Sequence, residues 1–150
     1  MSEQTGLQPT ADTHDMSWVL ERLKREKGVL HAVLLSSEGL VLAATEGLRR
    51  EVAERTAAQA SSLFSLGKGV SEFADLEETP ARKIIIDLPG HCVLVFSAGH
   101  RTALAVAVGA EMTSSEVVAV TGATIKAING LREVLSARER RVYGMGPSSS

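Results

Sequence analysis

The sequence is poor in the residues on which most binding and catalytic chemistry depends. Its 150 residues include one cysteine, Cys92, so an intramolecular disulfide is impossible and a reducing compartment is expected. Aromatic residues make up only 3% of the chain, too few for base-stacking platforms or aromatic-lined pockets. The formal net charge is −2, so no strongly basic surface is predicted and nucleic acid is not favoured as a partner.

Long apolar runs and targeting signals are also missing. No run approaches the ~20 apolar residues of a membrane span, so no insertion into a membrane is expected. The first residues, MSEQTGLQPTADTHD, have neither the basic region nor the apolar region of a signal peptide. We therefore expect a cytoplasmic protein.

The histidines and the cysteine form no recognisable catalytic or metal-binding pattern. His14, His31, His91 and His100 lack the mutual spacing of metal ligands. His91 and Cys92 are adjacent, but neighbours in a strand point to opposite faces, so they are not expected to form a thiolate–imidazole pair. Cys92 is expected to be a small buried residue. The sequence thus predicts no catalytic residue, no metal and no cofactor, and we expect the chain not to be an enzyme.

The chain divides into one domain between two polar ends. Residues 1–15 and 144–150 are polar, and Pro9 and the run GMGPSSS indicate that both are disordered tails. Residues 16–143 carry the apolar periodicity of a folded domain.

Within this domain the patterns predict the order helix, two strands, helix, three strands, helix. The predicted strands lie at 29–36, 40–45, 82–88, 92–98 and 102–110. Every strand-to-strand link is a short turn, so the sheet should be antiparallel. Its strands are apolar on both faces and need cover from both sides. The predicted fold class is therefore α+β, a five-stranded antiparallel sheet with helices on both faces.

Short polar side chains mark the expected helix starts. Asp15 or Ser17 can cap the first helix. Thr113 and Glu116 have the spacing of a capping box, which predicts the start of the last helix at about residue 114.

The middle helix, from about Arg49 to Lys68, has an uncharged back face. One arc can cover the sheet and holds Val52, Ala53, Thr56, Ala57, Ala60, Leu63 and Phe64. Beyond Arg55 the opposite arc carries only small side chains, which allow two helices to approach closely. Packing against a second copy across a two-fold axis is the favoured interpretation. Exposure to water and docking of a different protein are the alternatives.

The strand RKIIIDL gives a second indication of self-association. Pro80 and Pro89 bracket it, which suits an edge strand. An exposed edge rich in isoleucine is an aggregation hazard unless another strand pairs with it, and the same strand of a second copy would do so. The predicted dimer interface consists of Ala58, Ser61, Ser62 and Ser65 on the helix and Ile84, Ile85 and Ile86 on the strand.

Three segments form a specific pattern when taken together and in order. They are LLSSEGLVLAATEGL, TAAQASSLFSLGKGV and ARKIIIDLPGHCVLVFSAGHRTALAVAV. With them, the sequence resembles the roadblock / dynein light chain domain family, in its bacterial MglB-like branch found beside small Ras-like GTPases. The resemblance implies a homodimer with antiparallel middle helices and joined edge strands. It also implies a non-enzymatic regulator or adaptor of a small Ras-like GTPase, with or without stimulation of GTP hydrolysis.

The resemblance transfers no catalytic residue to this chain. Two middle helices side by side would form a groove, and the expected GTPase-binding surface flanks it with Arg49, Arg50, Glu51, Glu54 and Arg55. A GTPase activator can also insert an arginine. The sequence does not rank the candidates Arg49, Arg50, Arg55, Arg82 and Arg101.

Two other classes of function remain open at this stage. A scaffold subunit of a larger complex would share the layered fold without influencing nucleotide hydrolysis. A small-molecule sensor domain would need a roomy pocket, against which the alanine face of TALAVAV and the few aromatics argue.

Overall fold

The computed structural model describes residues 11–143, with side chains described for residues 16–137. The elements in chain order are α1 (Ala11–Lys24), β1 (Val29–Ser36), β2 (Val41–Ala44), α2 (Arg50–Val70), a 3₁₀ helix (Ser71–Ala74), β3 (Lys83–Leu88), β4 (His91–Gly99), β5 (Thr102–Val108) and α3 (Ser115–Tyr143). The predicted order and the α+β class are confirmed. Of the two predicted tails, residues 1–10 and 144–150 lie outside the described residues, and α1 begins within the first tail, at Ala11.

The five strands form one antiparallel sheet in the order β2-β1-β5-β4-β3. Short turns join β1 to β2, β3 to β4 and β4 to β5, as the sequence predicts. β1 and β5 pair at the centre of the sheet, where Ala32 lies opposite Val106. Because α2 connects β2 to β3, at opposite edges of the sheet, it must cross one face of it.

Each face of the sheet has its own helical layer, as expected from strands that are apolar on both sides. On one face, α1 and α3 bury Leu20 and Leu131 against leucines of β1, β4 and β5. On the other, Ala57 and Ala60 of α2 pack on Leu35 and on the alanines of β5. Because side chains alternate along a strand, Leu34 belongs to the first layer and Leu35 to the second. The alanine contacts let the α2 backbone lie close to the sheet.

Both predicted helix caps are wrong. Asp15 and Ser17 lie inside α1, because that helix begins at Ala11. At the start of α3 the cap is Ser114, whose Oγ accepts a hydrogen bond from the backbone N–H of Val117 at 3.3 Å. This is the ordinary reach from a cap to the third helical residue, and it places the cap one residue later than the capping-box spacing predicted.

Candidate functional site

The solvent-facing side of α2, which we call the α2 outer face, combines small and large apolar side chains. Ala58, Ser62 and Ser65 are exposed there, as the sequence predicted. The face continues into larger residues that the sequence analysis missed: Leu66 is 65% exposed, Val70 62% and Phe73, in the 3₁₀ helix, 93%. Large apolar side chains grouped this way at a helix surface mark an interaction site.

Ser61 does not belong to the α2 outer face. It is half-buried, and its Oγ donates a hydrogen bond to the backbone oxygen of Ser37 at 2.8 Å. The same turn approaches the helix at Gly39, where an added Cβ would lie 3.2 Å from the Cα of Ala58. Ser61 therefore fixes α2 to the β1–β2 turn, and it has a role within the subunit whatever its part in an interface.

The N-terminal end of α2 and the segment that follows the helix differ in charge. The predicted partner residues Arg49, Arg50, Glu51, Glu54 and Arg55 are exposed together at the N-terminal end. Two ion pairs form among them, Arg49 with Glu51 at 3.4 Å and Arg50 with Glu54 at 3.0 Å. Lys68 lies in the last turn of α2, and exposed carboxylates follow in the 3₁₀ helix and the loop after it, namely Glu72, Asp75, Glu77 and Glu78.

The edge strand lies beside the C-terminal half of α2. β3 pairs with β4 and is the last strand of the sheet among residues 11–143, so the predicted edge position is confirmed. Ile84 and Ile86 are half-buried, whereas Ile85 is 42% exposed. A Cβ added at Gly67 of α2 would lie 3.4 Å from Ala81, which precedes the strand, and 3.9 Å from Ile84. The C-terminal half of α2 therefore lies beside the start of the open edge strand.

Metal binding and thiolate chemistry each require a particular pattern of titratable groups. Within residues 11–143, no group of three or more His, Cys, Asp or Glu side chains is placed to hold a metal. Cys92 is buried among the α1/α3 layer while His91 is exposed, so the predicted separation of the two is confirmed. Burial, with a smaller effect of the Asp87 charge, raises the pKa of the Cys92 thiol and disfavours its thiolate.

The sequence matches a known domain family. A family model described as the Roadblock/LC7 domain matches residues 17–107, more than half of the chain. The chain belongs to the Roadblock/LC7 domain family. The resemblance seen in the three sequence segments is thus confirmed, and so is its implication for the fold.

Solved structures of bacterial proteins share this fold over most of its length. The Roadblock/LC7 domain from Streptomyces avermitilis is 29% identical, covers 88% of this chain and 99% of its own, and superposes with a TM-score of 0.61. Myxococcus xanthus MglB is 14% identical over 87% of this chain and 95% of its own, with a TM-score of 0.72. An MglB with a tetrameric arrangement is 19% identical over 87% and 98%, with a TM-score of 0.73.

Two further searches found nothing. No curated protein matches the sequence significantly. In the part of the chain that the structure describes, none of the helices has the length and apolarity that crossing a bilayer requires.

Proposed function

We propose that this roadblock protein acts as a homodimer that binds a small Ras-like GTPase and regulates its nucleotide cycle, without catalysis of its own. The observation that carries the proposal is the α2 outer face with its exposed Leu66, Val70 and Phe73, next to the open edge of β3. Burying the three side chains against a second copy would remove a large apolar surface from water. Pairing two copies of β3 would at the same time satisfy their edge N–H and C=O groups.

The charges on α2 favour an antiparallel arrangement of the two copies. Three arginines and two glutamates lie at the N-terminal end of α2, whereas four carboxylates follow Lys68 in the segment directly after the helix. Antiparallel helices across a two-fold axis bring the arginine end of one copy to the carboxylate end of the other. A parallel arrangement would place like charges side by side, which disfavours it.

A dimer of this kind offers a composite surface that one subunit lacks. Two α2 helices would lie side by side, with Arg49, Arg50 and Arg55 at each end of the groove between them. Charged rims set the rate and the choice of partner more than the affinity. The support for a Ras-like GTPase as partner is the family itself, whose bacterial MglB-like branch is found beside such GTPases. Preference for the GTP form follows if the groove contacts the switch loops, which are ordered around the γ-phosphate.

The test is binding of the GTPase encoded nearest to this protein, measured in its GDP and GTP-analogue states. We expect tighter binding of the GTP form. The double variant Arg50→Glu/Arg55→Glu should slow association and change its salt dependence, whereas the matched reversal Arg132→Glu on α3 should do neither. Rim ion pairs are worth about 0–1 kcal/mol each, so the variant should remain dimeric, and light scattering checks this.

Two results would count against the regulatory role. Absence of binding in either state at ~100 μM, a concentration that detects even weak complexes, would contradict it. Equal binding of both states with unchanged hydrolysis would make the protein an adaptor or scaffold, since equal affinity for two states shifts no equilibrium between them.

A further inference from the structure

A cavity of about 450 Å³ opens between α2 and the end of the sheet formed by the β1–β2 turn and the β4–β5 hairpin. Its apolar lining includes Leu35 of β1, Ala103 of β5 and Phe64 of α2. Leu35 and Ala103 are 1% and 5% exposed, so these residues are also part of the core under α2. The volume is within the range of small-molecule sites, about 300–1,000 Å³.

Short side chains leave this space empty, and backbone contacts hold it open. Ser61 and Ser65 of α2 line the cavity together with Ser97 and Ala103 of the sheet, and all four side chains are short. The hydrogen bond from Ser61 to the β1–β2 turn, together with the close approach of Gly39 to the helix backbone, fixes the height of α2 above the sheet. Rearrangement of these four short side chains would therefore not fill the cavity.

The charged side chains that line the cavity are all positive. The titratable side chains that line it are Lys68 and Arg101, both cationic, and no carboxylate lines it. Each cation has one partner outside the lining, Glu78 at 4.0 Å from Lys68 and Glu38 at 3.5 Å from Arg101. All four groups are at least half exposed, and ion pairs of that kind are weak. An anion entering the cavity could replace both carboxylates.

Arg101 occupies a backbone position that would suit glycine better. His100 and Arg101 form the two-residue loop between β4 and β5, with φ angles of 51° and 59°. Positive φ at both central positions is the requirement that usually selects Asn-Gly in such hairpins. A hydrogen bond from the backbone N–H of Ser37 to the Arg101 oxygen, 2.8 Å, joins this loop to the β1–β2 turn. The chain thus carries a cation at the cavity mouth despite a backbone that disfavours a side chain there.

Two hydroxyls at the cavity are available to a ligand. Within the described part of the chain, the side-chain oxygens of Ser65 and Ser97 have no hydrogen-bond partner. Both line the cavity together with the two cations. The arrangement offers hydroxyl donors beside positive charge, above an apolar floor.

We propose that this cavity binds an amphipathic anion, a small molecule with an apolar body and one carboxylate or phosphate group. The anionic group lies between Lys68 and Arg101 and accepts hydrogen bonds from the serine hydroxyls. The apolar body packs on Leu35, Phe64 and Ala103. The site lies between α2 and the sheet and shares Ser65 with the α2 outer face; the proposal does not rest on the proposed GTPase role.

The test uses the full chain, labelled with ¹⁵N, titrated with octanoate and octyl phosphate below their micellar concentrations. Octanol is the control compound without a charge, and inorganic phosphate is the control compound without an apolar body. We expect saturable amide shifts at residues 64–68 and 97–103. Octanol and inorganic phosphate should bind with at least tenfold lower affinity than whichever of octanoate and octyl phosphate binds more tightly. Tighter octanoate binding identifies a carboxylate ligand and tighter octyl phosphate binding a phosphate ligand. Equal binding of octanol, equal binding of inorganic phosphate, or shifts confined to other regions would each overturn the proposal.

Variants separate the site from general surface adsorption. Arg101→Gly combined with Lys68→Gln should weaken binding of the better amphiphile at least tenfold, and Ser97→Phe should block it by filling the cavity. Arg22→Gln, which removes a cation on α1 in the other layer, is the matched control and should leave binding unchanged. Arg101→Gly suits the backbone of the loop, so a loss of binding cannot be attributed to unfolding. Unaltered binding in the double variant would overturn the proposal.

Discussion

Replacing Ser62 by arginine should break the proposed dimer without disturbing the subunit. Ser62 is exposed in the middle of the α2 outer face, and its Oγ donates a hydrogen bond to the Ala58 carbonyl oxygen one turn earlier in the same helix, at 3.2 Å. Since the side chain is exposed and its hydrogen bond lies within the helix, the free energy of unfolding of the isolated subunit should change by about 0.5 kcal/mol or less.

The effect on association is far larger, because a two-fold axis brings each arginine close to its own copy. A charge buried without a partner destabilises by about 3–5 kcal/mol. Taking the lower figure, at about 1.4 kcal/mol per tenfold, the dissociation constant of the dimer should rise about 100-fold.

Light scattering after size exclusion measures this effect. The wild type should elute at twice the 15.9 kDa chain mass, and Ser62→Arg should shift to the monomer at the same micromolar concentration. Val118→Arg is the matched control, because Val118 is 71% exposed on α3 in the opposite layer. A Ser62→Arg protein that remains dimeric, or a control that dissociates equally, would refute the assignment of the interface to the α2 outer face.

Three further predictions concern the subunit itself. Arg101→Gly should raise the free energy of unfolding by about 1 kcal/mol, because glycine adopts a φ near 59° without a Cβ penalty; a lower urea midpoint would contradict this. Gly39→Ala should lower it by about 2 kcal/mol, since φ is +88° and the new Cβ would meet the α2 backbone at 3.2 Å, whereas Gly122→Ala, in open space on α3, should raise it by up to ~1 kcal/mol. Because burial raises the pKa of the Cys92 thiol, the native protein should react with thiol reagents much more slowly than the unfolded chain. For the same reason the free energy of unfolding should fall as the pH rises above the pKa of the thiol in the unfolded chain, because the folded state keeps the proton longer. Equal reaction rates of the native and unfolded protein with thiol reagents would contradict the burial.

The layered fold could be predicted because its determinants are local. The apolar strands, the short turns between them and the alanines of β5 all act over a few residues, and they gave the element order and the helical cover on both faces. The strand order could not be predicted in full, because the pairing of β1 with β5 joins segments about 70 residues apart and leaves no local signal. The predicted cap of α3 was one residue too early, because Thr113 carries a side-chain hydroxyl like that of its neighbour Ser114.

The candidate site was predictable only in part. The small residues of α2 indicated an outer face, but Leu66, Val70 and Phe73 were missed, although their i, i+4 and i+7 spacing is a helical one. The predicted helix ended at Lys68, short of Val70 and Phe73, and Leu66 was overlooked although it lies inside the predicted range. Ser61 was assigned to the outer face because sequence spacing cannot show that the β1–β2 turn reaches its hydroxyl. The cavity was not expected, since it arises from short side chains on elements far apart in the sequence.

Single-turnover GTP hydrolysis by the nearest-encoded GTPase, with and without this protein, tests the central claim most directly. We expect wild-type protein to change the rate and to bind the GTP-analogue form more tightly than the GDP form. The Ser62→Arg monomer should do neither at equal concentration, since the composite surface needs both copies. The protein alone should hydrolyse no GTP. An unchanged rate with equal affinity for both nucleotide states, or full activity of the monomeric variant, would contradict a dimeric regulator of the GTPase cycle.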